Sequence, residues 1–177
     1  IVAQKRLHSS GPLMWALCFM NTEHLKSEIE SVFSYVKKPR GLDLSFHKDE
    51  CHQCGYLRED LDQYQEMELP PEGIREIHQE MSCLSPQGWR WALPSYLRYC
   101  VTEEAVRSQN EAEFLIYNLA PGEEYQADTR KRLSALNEQQ IACLEHFLEW
   151  CQVHSYWGQY CSKEISEGIA FLSTVRA

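Results

Sequence analysis

Residues 85–100 read SPQGWRWALPSYLRYC, and the fold of the chain turns on them. Ser85 offers a hydroxyl to the unpaired N–H groups of a helix start, and Pro86 carries the fixed φ of a first helical residue. Trp89, Ala92, Leu93, Tyr96, Leu97 and Cys100 then recur every three or four residues, the repeat of one helical face. Pro94 lacks an N–H and crowds the carbonyl four residues earlier, so a kink or restart is expected there. Trp91 and Tyr99 fall off the main face, which gives this helix rings on both sides. One side reads as core. The other, Trp91 and Tyr99 with neighbouring Arg98, is either a candidate partner-binding patch, because Trp, Tyr and Arg are enriched at interface hot spots, or a face covered by the following helices.

The same grammar extends outward in both directions. Leu25, Ile29, Val32, Phe33 and Val36 form a stripe after Thr22, a candidate cap, and the helix should stop before Pro39. Cys51, Cys54, Leu57, Leu61 and Tyr64 predict a helix over 49–64, with Asp49 as cap and both thiols on the apolar face. Shorter stripes follow at Ile74–Met81 and Phe114–Tyr117. Asn137 and Gln140 have the spacing of a capping box before Ile141, Leu144, Phe147, Leu148 and Cys151, and Ile165, Ile169 and Leu172 mark a last helix. Leu42 to Phe46 alternates over five residues, enough for a minor strand at most. The expected fold is all-α: one domain over 21–177, a compact orthogonal array of six or seven short helices. Residues 1–20 are expected to be a poorly ordered extension or expression remnant. Their Lys5, Arg6 and His8 before an apolar run copy a signal peptide incompletely, with no small-residue cleavage site.

With 44% hydrophobic and 24% charged residues among 177, wholesale disorder is excluded, and no stretch reaches the roughly 20 apolar residues of a membrane span. Seventeen basic against 26 acidic residues give a net charge of -9, the reverse of a nucleic-acid footprint. Neither nucleic acid nor membrane is an expected partner. Eight cysteines are too sparse at this length for a stapled secreted scaffold, and several sit on apolar stripes. Reduced thiols and a bacterial-type cytoplasm are the expectation.

The sharpest chemical constellation is His47-x-x-x-Cys51-His52-x-Cys54. A Cys-x-x-Cys turn supplies two adjacent corners of a zinc tetrahedron, and His47 is the nearest third donor. The next thiol, Cys83, lies 29 residues beyond Cys54, outside the usual spacing. His47, His78 or Cys83 could complete the set only through tertiary contact; otherwise the two thiols are packing material and no cofactor is bound. A redox role would need the first thiol at a helix N-terminus, and Asp49-Glu50 just before it opposes a thiolate. His78 near Glu76 and Glu80, and His146 near Glu145 and Glu149, could be drawn as acid–base pairs, but no nucleophile elbow or phosphate loop accompanies them. No catalytic residue is assigned.

Cys51-x-x-Cys54 with Leu57 and Leu61, then Leu84-Ser85-Pro86 leading into Ala92-Leu93-Pro94-Ser95-Tyr96-Leu97-Arg98, then Leu136-Asn137-x-x-Gln140 leading into Cys143-Leu144-x-x-Phe147-Leu148, resembles a family of small bacterial proteins classed only as a domain of unknown function. The resemblance covers roughly residues 21–155. It implies a compact helical fold and a bacterial source, and supplies no activity or site residue. The expected role is therefore non-enzymatic: an acidic cytoplasmic interaction domain that docks a basic partner protein such as a toxin or effector. A zinc-stabilised domain is the alternative, and an enzyme with a tertiary site invisible in sequence is the third class.

Overall fold

The rings of residues 85–100 are too many for one neighbouring helix to cover, and the chain surrounds them. A computed structural model describes residues 12–48 and 51–176, with side chains from residue 22 onward. At its centre is α4 (Pro86–Cys100), capped as expected by Ser85, whose hydroxyl accepts the Gly88 N–H at 3.0 Å. The helix runs through Pro94 without interruption. A proline in a helix interior costs about 3 kcal/mol, and here burial on every side offsets it: Trp89, Trp91, Leu93, Tyr96 and Leu97 expose nothing. Around it pack α1 (Pro12–Val32), α3 (Pro71–Ile77), α5 (Glu103–Ser108), α6 (Asn110–Leu119) and α7 (Gln126–Leu133). A second layer is built on α8 (Glu138–Val153), which lies against α1, the single turn α9 (Trp157–Tyr160) and α10 (Ser162–Arg176). The Asn137–Gln140 capping box is complete, with reciprocal bonds of 2.9 and 3.1 Å. The remaining helix, α2 (His52–Leu61), rests on α3 and on a 3-10 turn at Met81–Cys83.

The fold is all-α, but the described residues form ten α-helices where six or seven were expected. Two causes are visible. Gln109 takes a left-handed φ of 68° and splits one stretch into α5 and α6. α7 has almost no apolar stripe, burying only Thr129, Arg132 and Leu133, so periodicity gives no sign of it. The minor strand at 42–46 is instead a 3-10 turn, Gly41–Asp43, and one antiparallel bridge between Ser45 and Leu84. α1 begins ahead of Thr22, which is therefore no cap; its hydroxyl accepts the Trp150 indole N–H at 2.9 Å. Residues 1–11 of the expected extension, and the expected cap Asp49, lie outside the described residues. Among those described, no helix is long and apolar enough to cross a membrane.

Buried rings bring polar atoms that must be satisfied, since an orphaned donor costs about 1–3 kcal/mol. Trp89 donates its indole N–H to Met81 O at 2.9 Å, Trp91 to Glu66 O at 3.3 Å, and Trp157 to Gln109 O at 3.2 Å. The Tyr96 hydroxyl donates to Glu111 O at 2.9 Å. These bonds tie the 81–83 turn, the connection at Glu66 and the joint between α5 and α6 to the core.

His154 lies between Trp150 and Trp157, with ring centroids at 6.3 and 4.3 Å, and its Nδ1 accepts the Tyr156 N–H. Burial disfavours the imidazolium and pulls its pKa below the usual value of 6.5. The unfolded chain thus binds a proton near pH 6.5 that the folded one refuses, so stability from this group is present above that pH and is lost as pH falls toward the depressed folded value. Urea midpoints measured at pH 7.5 and 5.5 should therefore differ less for His154→Gln than for the wild type. Equal differences would show that this imidazole titrates as freely in the fold as outside it.

Candidate metal centre

The site begins with the bridge between Ser45 and Leu84. Phe46 N–H donates to Cys83 O at 2.7 Å and Ser85 N–H to Leu44 O at 2.9 Å, so residues 44–46 lie along 83–85. That pairing carries His47 to the start of α2. Cys54, in the first turn of α2, points inward with Leu57 and Leu61; its thiol meets His47 Nδ1 at 3.7 Å and donates to Cys83 O at 3.8 Å. Cys51 is the N-cap residue of α2, partly exposed and making no side-chain cap bond. The expectation that both thiols share the helix's apolar face is corrected here: α2 starts at His52, so Cys51 stands at its tip. As a result, one ligand atom each from His47, Cys51 and Cys54 fall within 4.8 Å of one another.

Electrostatics separate the two thiols. The Cys54 backbone N–H, then the Cys54 thiol, the Gln53 N–H and the Arg58 guanidinium all draw the Cys51 thiol below its usual pKa. Burial pushes Cys54 up, and burial pushes Cys83 up to about 12. Arg58 is held in place by Ser45 Oγ at 2.6 Å and Lys48 O at 3.2 Å. A thiolate-forming cysteine, an imidazole and a second thiol that needs a cation to ionise make a soft N/S donor set of the kind zinc takes. Because Cys51 does occupy a helix N-terminus, the pair also meets the positional requirement for a reactive dithiol.

The other sequence candidates are not brought to any site. Trp91 is fully buried and Tyr99 is 6% exposed, with α1, α3 and α5 packed about their helix. Arg98 stacks 4.5 Å over Tyr35 and donates to Pro94 O and Phe33 O, both at 2.8 Å. These three therefore form no exposed patch. His78 packs edge-on against Phe114 and bonds Arg75 O, and it is not among the three clustered donors. His146 pairs across helices with Glu28 at 2.8 Å, while Glu145 is taken by Arg176.

A feature missed in the sequence lies at the other end of α2. Glu59, Asp60, Asp62, Glu66, Glu68, Glu72, Glu76 and Glu80 face a single cation, Arg75, within residues 59–80, which holds seven of the nine net negative charges. All but Glu80 are exposed, beside the exposed side chains of Tyr56 and Met67. Asp60 and Glu76 together raise the pKa of half-buried Glu80, after burial itself, so carboxylates from α2 and α3 share one face. A running charge count along the sequence is the signal that would have found it.

The thiol asymmetry has a direct readout. An alkylating reagent applied to metal-free protein should modify Cys51 about tenfold or more faster than Cys54, with Arg58→Gln slowing it, as followed by peptide mass mapping. Preferential labelling of a core thiol such as Cys143 would contradict this geometry.

Neither the curated proteins nor the solved structures include a match to this chain. A family model does match, over residues 21–162, a span that takes in the donor triangle, the acidic face, α4 and α8. The chain belongs to the family of unknown function DUF6714.

Proposed function

We propose that this is a zinc-stabilised helical domain, in which His47, Cys51 and Cys54 hold one ion at the tip of α2. The convergence of those three donors within 4.8 Å carries the reading. A structural zinc contributes folding energy directly, because the unfolded chain has no preformed site. Here it would fasten the 44–48 segment to α2 and so fix the helix that bears the acidic face. In purified protein we expect one zinc per chain. Chelation should lower the melting temperature by roughly 10 °C, and Cys54→Ser should show the lowered value with no further response to chelator. Substoichiometric zinc with an unchanged melting temperature removes the reading.

The acidic face supports a second, compatible proposal: a non-enzymatic interaction domain that docks a basic protein partner. Eight carboxylates in 22 residues, seven of them exposed despite mutual repulsion, favour fast association with a cationic surface. The free cysteines among the described residues fit a reducing compartment, and we place the protein in a bacterial cytoplasm on that ground. Affinity capture from a cell lysate should retain a protein of high pI at low salt and release it near 0.5 M salt. The double substitution Glu72→Lys with Glu76→Lys should abolish capture, and retention by that variant would exclude this face.

A further inference from the structure

Gly55 stands inside α2, where glycine is a poor helix former beside alanine, and packing gives no reason for it. Its φ is not left-handed, and a Cβ built on it meets one atom, Arg58 Nη2 at 3.9 Å, an ordinary contact. Gly88, by contrast, leaves no room: a Cβ there would lie 2.6 Å from Leu44 O. Gly55 and Arg58 both line a cleft of about 970 Å³ between α2 and the connection at 37–44. Glu59 and Asp62 line it too, and offsets of 3, 4 and 7 from Gly55 put all four on one stripe. Lys37 and Arg40 of the connection, and Glu66 beyond α2, add further charge to the lining.

These charges are held in place without neutralising one another. Arg58 is fixed through Nη1, which donates to Ser45 Oγ at 2.6 Å and Lys48 O at 3.2 Å, while its Nη2 has no hydrogen bond among the described residues. Lys38 Nζ donates to Leu61 O at 2.5 Å and tethers the connection to the end of α2; the Trp91 indole N–H likewise holds Glu66 O. Lys37, Arg40, Glu59, Asp62 and Glu66 enter none of the ion pairs among the described residues. Opposite charges kept apart around one cleft suit a ligand that carries both signs. A carboxylate at Arg58 Nη2 would gain a charge-assisted bond, and the bare glycine lets it approach the helix backbone. Asp62 follows one turn later, a rise of about 6 Å, which the two ends of a peptide of two or three residues can span. We infer that the cleft binds a short zwitterionic peptide, its terminal carboxylate at Gly55 and Arg58 and its terminal ammonium at Asp62 and Glu66. The cleft needs neither the zinc ion nor the protein partner proposed above, and Glu72 and Glu76 do not line it.

Trialanine, which carries both end charges and no others, is the probe, titrated into the full chain and followed by amide chemical shifts. The wild type should bind it saturably, and blocking either end, as N-acetyl-trialanine or trialanine amide, should weaken binding about tenfold. Arg58→Gln should reduce trialanine to the affinity of its amide and leave the amide's own affinity unchanged. Gly55→Ala should raise the melting temperature by about 2 °C while weakening trialanine binding about tenfold, a pair of opposite effects that a purely structural glycine would not give. No saturable binding of trialanine, equal affinity for the free and blocked peptides, or wild-type affinity in Gly55→Ala overturns the inference. Loss on amidation with acetylation harmless also overturns it, leaving an anion pocket in place of a zwitterion site.

Discussion

The constraint on which this structure depends is the burial of one helix around its whole circumference. Trp89, Trp91 and Tyr96 of α4 cannot be hidden unless an indole or hydroxyl proton is satisfied at the same moment. Their partners are carbonyls of Met81, Glu66 and Glu111, each in a different stretch of chain. The apolar drive to cover the rings and the polar demand of their tips thus act on the same contacts. Together they place the 66–69 connection, the 81–84 turn and the start of α6 about a common centre.

That arrangement generates the donor triangle as a by-product of packing. The Trp89–Met81 bond locates the turn containing Cys83, the Ser45–Leu84 bridge hangs His47 beside it, and Leu57 and Leu61 seat α2 so that Cys54 faces both. The Trp89–Met81 bond spans only eight residues, whereas the Ser45–Leu84 bridge joins segments far apart in sequence. Cys51 stays at the helix tip, where backbone N–H groups favour its charged form. Burial and ionisation are divided between two cysteines three residues apart, because the helix begins between them and Arg58 stands beside the outer one.

Much of the fold was legible in the residues. Ser85-Pro86, the Asn137–Gln140 box and the stripes of α4 and α8 are local signals with local causes, and they mark real helix starts. The single bridge at Ser45 was within the allowance for a minor strand. What stayed hidden depends on distant partners. Periodicity identifies the apolar faces of α4, but how much of its circumference is covered is decided by five other helices, so whether Trp91 and Tyr99 face solvent or core is not legible locally; they are core. α7 forms with few apolar residues because Arg132 and Leu133 find neighbours made elsewhere. His47, Cys51 and Cys54 were visible as a set, whereas their convergence, and the place of Cys83 beside them, required the 44–46 and 83–85 segments to pair.

Gln109 has a meaning of its own in this frame. A residue with a Cβ held at φ 68° sits about 1–2 kcal/mol above its relaxed backbone. The same residue's carbonyl receives the Trp157 indole N–H, so an aromatic from the second layer keeps the joint between α5 and α6 in its unfavourable state. The molecule therefore carries a reserve of unclaimed stability at this joint. A glycine there would release it without disturbing the thiols, and hardening the scaffold and altering its chemistry are separate routes open to this chain.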